Sequence, residues 1–210
     1  MILLTSTTPP VADHLYDRFL KGKNIQSLLF IETAAEIEPG DRQWLEDDHD
    51  AWVGKGMSVT RYSISGKNSR DIETEFSRHD IIYMSGGNTF YLLQEMQKTG
   101  AMQIVRRIVN EGKIYIGTSA GSVVAGPDIS AIKNLDSEKA APELQGYEGL
   151  SLIELVVLPH WGSPCFRESY LRQGLNHLYD NPIYKAVLLT DNQYLSCKED
   201  GLFEIIDVKN

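Results

Sequence analysis

The chain has 210 residues, of which 42% are hydrophobic and 23% are charged, and its formal net charge at pH 7 is −9. This length and composition predict one soluble globular domain over residues 1–210. The acidic balance argues against nucleic acid or an anionic membrane as a partner, because both require a basic face. No apolar segment approaches the roughly 20 residues of a membrane-spanning helix. The first residues predict a strand and not a signal peptide, so we expect a cytoplasmic protein. Cys165 and Cys197 lack the spacing of a zinc site, and we expect both to be reduced thiols.

Short apolar runs alternate with helical patterns through the first part of the chain. Strands are predicted at residues 2–5, 27–31, 57–64 and 80–84, and immediately before Gly117. Helices are predicted at 11–21, at 44–53, from Asn88 onward, and along the face shared by Ile104, Val105, Ile108 and Val109. This alternation implies right-handed crossovers and therefore an α/β fold with a mostly parallel, helix-covered sheet.

The second part of the chain is less regular. Residues 126–150 are polar and are predicted to form an irregular loop at the rim of a site. Strands are predicted at 152–158 and 186–190, with a helix at 166–179 between them. The last two strands, 194–198 and 202–208, are predicted to pair as a hairpin that turns at 199–201.

The motif G-x-S-x-G occurs at the end of the strand before Gly117, and its serine is Ser119. A serine between two close glycines at a strand-to-helix turn is typical of a nucleophile elbow, which exposes the hydroxyl above the sheet. Side chains at Gly117 and Gly121 are expected to clash with such a turn. The helix that begins near Ala120 is expected to point free N–H groups at the same space. One segment would therefore supply both a nucleophile and donors for an anion.

Residues suited to chemistry follow four of the predicted strands. Ligands of open parallel sheets gather at the carboxyl ends of the strands. Here those ends carry Ser85–Thr89, Ser119, His160 and Asp191. Their shared position predicts an active site more strongly than any single motif does.

Ser119 requires a base, because a hydroxyl is a weak nucleophile at neutral pH. His160 is the candidate, since it follows an apolar strand. The other four histidines fall in predicted helices or polar loops: His14, His49, His79 and His177. The acid that orients the base could be Asp191, at a strand end, or Asp136, in the loop before His160. Position favours Asp191, while Asp136 would give the chain order Ser, Asp, His of the α/β-hydrolases.

The pair Gly86-Gly87 allows two interpretations. It could be only a strand-to-helix turn in which Asn88 or Thr89 caps the following helix. Alternatively, its bare backbone lets an N–H reach a substrate carbonyl and complete an oxyanion hole with the N–H of Ala120. Both interpretations remain open at this point.

Three segments together resemble peptidase family S51, the group of the aspartyl dipeptidase (dipeptidase E) and the cyanophycinases. These segments are Ser85–Leu93, Tyr115–Ser122 and Leu158–His160. The likeness extends over most of the chain, whose length is similar to that of the dipeptidase branch. It implies a class I glutamine amidotransferase-like fold of three layers, with a serine where the amidotransferases have a cysteine.

The resemblance also implies roles for individual residues. Ser119 would be the nucleophile and His160 the base. Asp191 would be the acid, at the position where the family's dipeptidase has a glutamate. Gly87 and Ala120 would be the oxyanion donors.

The family's dipeptidase cleaves after an N-terminal aspartate, and such a substrate needs a cation for its side chain. Arg167, Arg172 and Lys133 are candidates for that cation, and Asn88 is a further substrate-binding candidate. The segment 129–136 does not clearly reproduce the Thr-Asn-Asp segment of the aspartate-specific enzyme. The resemblance therefore predicts the hydrolytic machinery more firmly than the specificity.

We expect a serine-type peptidase that hydrolyses short peptides, with dipeptides bearing an N-terminal aspartate as candidate substrates. It would act as a monomer or homodimer, and no metal or organic cofactor is indicated. Two alternatives remain: an esterase of the α/β-hydrolase type that uses Ser119, Asp136 and His160, and a non-catalytic binding protein on the same scaffold.

Overall fold

The computed structural model describes residues 1–133, 135–171, 175–180, 185–198 and 201–208. The strands in these ranges are β1 (Ile2–Thr5), β2 (Ser27–Ile31), β3 (Ser58–Tyr62), β4 (Ile81–Met84), β5 (Ile114–Thr118), β6 (Leu155–Leu158), β7 (Lys185–Leu188), β8 (Gln193–Cys197) and β9 (Phe203–Asp207). The helices are α1 (Ala12–Leu15, continued by a π-helical turn over Tyr16–Leu20), α2 (Gln43–Val53), α3 (Ser69–Arg78), α4 (Thr89–Thr99), α5 (Ala101–Asn110), α6 (Ala120–Val124), α7 (Arg167–Ser169) and α8 (Leu175–Asp180). None of these helices is long and apolar enough to cross a membrane.

The larger sheet contains seven strands in the order β3-β2-β4-β5-β1-β8-β9. The first five are parallel, whereas β8 and β9 add to β1 in antiparallel fashion. The register pairs Thr5 with Thr118 and Met84 with Gly117, so the segments after β1, β4 and β5 leave the sheet at one edge. The predicted mostly parallel sheet is confirmed, and Ser119 lies at the centre of its carboxyl edge.

Side chains alternate between the two faces of this sheet, and each face packs against its own helices. Leu4, Leu29 and Ile82 belong to the core that the sheet shares with α3, α4, α5 and α6. Leu3 and Phe30 belong to a second core, shared with α1 and α2. All five are fully buried, as expected for apolar strands covered on both faces. The expected three-layer α/β fold is therefore confirmed.

The strands β6 and β7 pair in parallel with each other as a separate two-stranded sheet. Ahead of β6, the N–H of Leu150 donates to the Val124 carbonyl at the end of α6 (2.7 Å). The segments that follow β6 and β7 carry His160 and Asp191. His160 and Asp191 therefore follow strands of the smaller sheet, whereas Ser119 follows a strand of the larger sheet.

Helix α3 has no counterpart among the predicted elements, although the sequence contains its signals. Asn68 caps the helix by accepting a hydrogen bond from the N–H of Asp71 (3.0 Å). Ile72 and Phe76, one helical turn apart, are buried. Charged and polar residues surround these two positions and weaken the apolar pattern.

The second part of the chain agrees with the prediction except around one helix. Residues 126–150 are irregular, with 3₁₀ turns at Ser130–Ile132 and Glu138–Ala140. The single helix predicted at 166–179 is divided: a 3₁₀ turn at Pro164–Phe166 precedes α7, α8 follows later, and residues 172–174 lie outside the described ranges. β8 and β9 pair as the predicted hairpin, whose turn residues 199–200 also lie outside these ranges.

Candidate active site

Ser119 occupies the sharp turn between β5 and α6. Its backbone has φ 48° and ψ −113°, a conformation that residues other than glycine rarely adopt. The turn is held on both sides, since the Ser119 N–H donates to the Thr5 carbonyl (3.0 Å) and the Ser119 carbonyl accepts from the N–H of Val123 (3.0 Å). The surrounding hydrogen bonds therefore fix a strained serine at the edge of the sheet.

The two glycines of the motif are required by close backbone contacts. A Cβ atom added to Gly117 would lie 2.5 Å from the Gly121 carbonyl oxygen. A Cβ atom added to Gly121 would lie 2.0 Å from the Met84 carbonyl oxygen. Both separations are well inside van der Waals contact, so the spacing of the motif follows from the packing of α6 against β4 and β5.

His160 links Ser119 to Asp191. Its Nε2 atom lies 2.9 Å from Ser119 Oγ, and its Nδ1 atom lies 2.9 Å from Asp191 Oδ1. The imidazole is largely buried and stacks on the ring of Phe166, with centroids 4.5 Å apart. A nucleophile, a base and an orienting acid in one hydrogen-bonded chain can activate a serine hydroxyl.

Phe166 was not singled out from the sequence. The only available signal was an aromatic residue shortly after His160 in the chain, and that spacing does not reveal ring stacking. The stack limits rotation of the imidazole and covers one face of it. Phe166 therefore helps to hold the ring in the plane that both hydrogen bonds need.

Asp136, the other candidate acid, lies in the same cleft but has a different partner. Its carboxylate accepts hydrogen bonds from the N–H (2.8 Å) and the hydroxyl (2.6 Å) of Thr89, at the start of α4. Burial raises the pKa of the Asp136 carboxyl above its usual value. Both ring nitrogens of His160 are already occupied by Ser119 and Asp191, so this geometry favours Asp191 as the orienting acid.

The Gly86-Gly87 turn lies directly beside the serine. A Cβ atom added to Gly86 would lie 3.1 Å from Ser119 Cβ. Gly87 has φ 125°, and a Cβ atom there would lie 2.2 Å from the Ala34 carbonyl oxygen. Within the described part of the chain, the N–H groups of Gly87 and Ala120 have no hydrogen-bond acceptor. Two free donors are therefore available near the hydroxyl.

The cleft in front of Ser119 is small and mostly apolar. It encloses about 280 Å³ of empty volume, including the part open to solvent. Besides Ser119, His160, Thr89 and Asp136, its walls include Val123, Ile132, Leu135, Pro159, Phe166 and Tyr170.

The predicted substrate-binding residues differ in what they already contact. Asn88 is buried and caps α4, because its side chain accepts from the N–H of Tyr91 (2.9 Å) and donates to the Ser137 carbonyl (3.2 Å). This contact agrees with the capping interpretation of Asn88. The Nζ atom of Lys133 lies 3.8 Å from the ring centre of Tyr147 and 3.9 Å from Glu138 Oε1.

Arg167 is exposed and directly follows Phe166, a wall of the cleft. Its guanidinium has no ion pair within the described ranges. Arg172 lies outside the described residues. Of the two predicted cations that the structure describes, Arg167 is therefore the one without an ion pair in the described ranges, since Lys133 approaches Glu138.

The described residues contain neither a disulfide nor a group of side chains suited to a metal ion. Cys165 and Cys197 are both free thiols, and burial raises the pKa of Cys197 to about 11. The described part of the chain contains no group of three His, Cys, Asp or Glu side chains that could hold a metal ion.

A buried carboxylate lies between α2 and the sheet. Asp48 is 3% exposed and accepts hydrogen bonds from the Tyr83 hydroxyl (2.8 Å) and from the N–H of Thr8 (3.2 Å). The Tyr83 hydroxyl also contacts Thr8 Oγ1 (2.6 Å). Burial outweighs these hydrogen bonds and raises the pKa of Asp48 to about 6.

This raised pKa predicts that Asp48 makes stability depend on pH. Since the folded protein favours the protonated carboxyl, the stabilisation is fully present below the unfolded pKa of about 4 and is lost as the pH rises through about 6. Relative to Asp48→Asn, the wild type should lose up to about 3 kcal/mol of unfolding free energy between about pH 4 and about pH 8. Urea unfolding of both proteins across this range measures the difference. A difference that does not change with pH would contradict the prediction.

Comparisons with known proteins identify the family and agree with the fold. The model of peptidase family S51 matches residues 2–205. An uncharacterized peptidase of Listeria monocytogenes is 35% identical over 200 residues, which cover 93% of this chain and 97% of that protein. Peptidase E of Escherichia coli is 29% identical over 159 residues, which cover 75% of this chain and 62% of that protein.

Solved structures show the same likeness. The crystal structure of a candidate peptidase E protein from Listeria monocytogenes EGD-e has a TM-score of 0.88 at 27% identity, and the match covers 99% of this chain and 98% of that chain. A peptidase from an acI-B1 actinobacterium has a TM-score of 0.69 at 18% identity, with 98% and 86% covered, and shares the fold. The family match over nearly the whole chain, together with these relatives, shows that this chain is a peptidase that belongs to peptidase family S51.

Proposed function

We propose that this protein is a serine-type peptidase that hydrolyses short peptides through an acyl-enzyme on Ser119. The observation that carries the proposal is the hydrogen-bonded chain from Ser119 Oγ through the His160 ring to Asp191, with both contacts at 2.9 Å. The strained backbone of Ser119 also supports a functional role, since such strain is concentrated at active sites.

The proposed reaction uses each of these groups in turn. His160 Nε2 takes the proton of Ser119 while Oγ attacks the peptide carbonyl, and the oxyanion accepts hydrogen bonds from the N–H groups of Gly87 and Ala120. The imidazolium, stabilised by Asp191, then gives its proton to the leaving amine as the C–N bond breaks. Water, deprotonated by the same imidazole, attacks the ester and releases the acid, which restores the Ser119 hydroxyl.

The cleft supports a short substrate with a free amino terminus. Its empty volume is small, and its walls near Ser119 are mostly apolar. The Asp136 carboxylate contacts only the neutral donors of Thr89 in the described structure, and it is partly buried. An ammonium group placed next to this carboxylate would be favoured, because opposite charges attract each other more strongly in a partly buried cleft than in bulk water. We therefore assign the substrate's α-amino group to Asp136.

We place the side chain of the first substrate residue toward Arg167, which follows the cleft wall Phe166 in the chain and is exposed. A carboxylate there would form a charge-assisted hydrogen bond with the free guanidinium. This arrangement supports the aspartyl dipeptidase activity that the family resemblance implies.

We expect the wild type to hydrolyse Asp-Leu at least about tenfold faster in kcat/KM than Asn-Leu, because a charge-assisted hydrogen bond contributes about 1.5–3 kcal/mol. The two dipeptides have the same shape and differ in charge. Arg167→Gln should lower kcat/KM for Asp-Leu by about the same factor and leave Asn-Leu nearly unchanged. Acetylated Asp-Leu should be a poor substrate, since it lacks the ammonium group. Product amines are quantified by chromatography.

The matched control is Arg78→Gln, which removes an exposed arginine on α3 whose only ion-pair partner in the described structure is Glu75. Equal hydrolysis of Asp-Leu and Asn-Leu by the wild type would retain the peptidase and reject the aspartate specificity. Failure to hydrolyse any peptide, combined with hydrolysis of simple esters, would favour the esterase alternative.

A further inference from the structure

The three residues of the proposed catalytic chain are divided between two sheets. Ser119 follows β5 of the seven-stranded sheet, whereas His160 and Asp191 follow the two strands of the smaller sheet. No ladder of backbone hydrogen bonds joins the two sheets within the described ranges. The distance between nucleophile and base therefore depends on contacts made by other groups.

The hydroxyl of Ser6 makes such a contact at the level of the catalytic residues. Ser6 directly follows β1 and is fully buried. Its Oγ atom accepts a hydrogen bond from the N–H of His160 (3.0 Å) and donates one to the carbonyl of Leu189 (2.8 Å). Leu189 lies two residues before Asp191, so one hydroxyl contacts the backbone beside both the base and the acid.

The backbone on the other side of Ser6 is joined to the nucleophile. The Ser6 carbonyl accepts from Thr118 Oγ1 (3.3 Å), and the carbonyl of the preceding residue, Thr5, accepts from the N–H of Ser119 (3.0 Å). Thr5, the last residue of β1, and Ser6, the residue after it, therefore contact the backbone at or beside all three residues of the proposed catalytic chain.

The conformation of His160 makes this support important. Its φ of 61° lies in the left-handed region, which a side chain disfavours. A strained residue keeps its conformation only where its surroundings fix it. The N–H of His160 has Ser6 Oγ as its acceptor, and without that hydroxyl the residue could relax and move its ring away from Ser119.

We propose that Ser6 is a positioning residue of this active site, whose hydroxyl sets the separation between the sheet that carries Ser119 and the strand pair that carries His160 and Asp191. The proposal rests on the proposed serine-peptidase function, but it concerns a residue that touches neither substrate nor reacting atoms. Nothing in the sequence distinguishes Ser6 from the other serines and threonines that follow the predicted strands.

The test compares Ser6→Ala, Ser6→Cys and the control Thr8→Val with the wild type. Thr8 is also fully buried on the same segment, but its hydroxyl contacts Tyr83 of the main sheet.

Ser6→Ala should lower kcat by about 10- to 100-fold with KM changed less than about twofold, because a small displacement of a catalytic group has effects of this size. Thr8→Val should keep kcat within about twofold of the wild type. Ser6→Cys, which retains a weaker donor and acceptor of similar shape, should give an intermediate kcat.

A second measurement does not depend on peptide turnover. Proton NMR detects the deshielded His160 Nδ1 proton in its hydrogen bond to Asp191, and His160→Gln identifies the signal by its loss. Ser6→Ala should shift or broaden this signal, while Thr8→Val should leave it in place. Labelling of Ser119 by a fluorophosphonate should slow in parallel with kcat.

The outcomes separate the two proposals. An unchanged NMR signal and labelling rate in Ser6→Ala would overturn the positioning role, as would equal losses in Ser6→Ala and Thr8→Val. Absence of peptide turnover in the wild type would overturn the proposed function, and the signal and labelling rate would still decide the role of Ser6. If Ser6→Ala does not fold, Ser6→Cys is subject to the same criteria.

Discussion

Replacing Ser119 with alanine should lower kcat for peptide hydrolysis by on the order of 10³-fold or more, because no acyl-enzyme can form without the hydroxyl. The substitution removes one oxygen atom from a turn fixed by backbone contacts, so the fold should be retained. Steady-state hydrolysis of Asp-Leu measures the loss. Mass spectrometry after fluorophosphonate treatment should locate a single adduct on Ser119 of the wild type and none on the variant.

The control is Ser77→Ala, which removes an exposed serine on α3 whose hydroxyl donates only to the Glu73 carbonyl (2.7 Å) in the described structure. This variant should keep full activity and full labelling. Wild-type turnover in Ser119→Ala would contradict the nucleophile assignment. It would favour direct attack by water or a binding role on this scaffold.

Under the proposed mechanism, Asp191→Asn should lower kcat by on the order of 10⁴-fold, as the equivalent change does in an enzyme with a Ser-His-Asp triad. The asparagine side chain is nearly the same size, but it cannot stabilise the imidazolium and can favour the wrong tautomer of His160. The Nδ1 atom of His160 lies 2.9 Å from the Asp191 carboxylate, so the loss should appear in kcat and not in KM.

Asp136→Asn is the matched comparison, since Asp136 is the second carboxylate in the cleft. It hydrogen-bonds Thr89 and not His160, so we expect a higher KM for peptides with a free amino terminus and a kcat within about tenfold of the wild type. A severe loss of kcat confined to Asp136→Asn, with Asp191→Asn nearly normal, would reverse the two roles.

Much of this architecture could be predicted from the sequence because buried parallel strands are apolar along their whole length. The runs at β1, β2, β4 and β5 have this composition, and their carboxyl ends must meet at one edge of the sheet. The same reasoning predicts Ser119, His160 and Asp191 at strand ends, and the structure adds the hydrogen bonds that join them. Helix α3 was missed because only Ile72 and Phe76 of its ten residues face the core.

Other features depend on distances that no local pattern encodes. The partner of Asp136 is Thr89, which lies 47 residues earlier in the chain, and the irregular loop that carries Asp136 has no periodicity from which its path could be predicted. The separation of β6 and β7 into their own sheet could not be predicted either, since both strands are short apolar runs like the others. The proposed role of Ser6 could not be predicted either, because it depends on contacts between two sheets that are distant in the chain.

The interior position of β1 in the sheet has a consequence for the order of folding during synthesis. This strand precedes the other strands of the sheet in the chain, yet it pairs with β5 and with β8, which follow much later. Pairings between such distant segments form slowly, because a long loop must close before they contribute. A growing chain can carry Ser119 before it carries His160 or Asp191, and β1 acquires its second neighbour only after both have been added. Under the proposed mechanism, a nascent chain would therefore gain peptidase activity only after nearly complete folding has brought Ser119, His160 and Asp191 together.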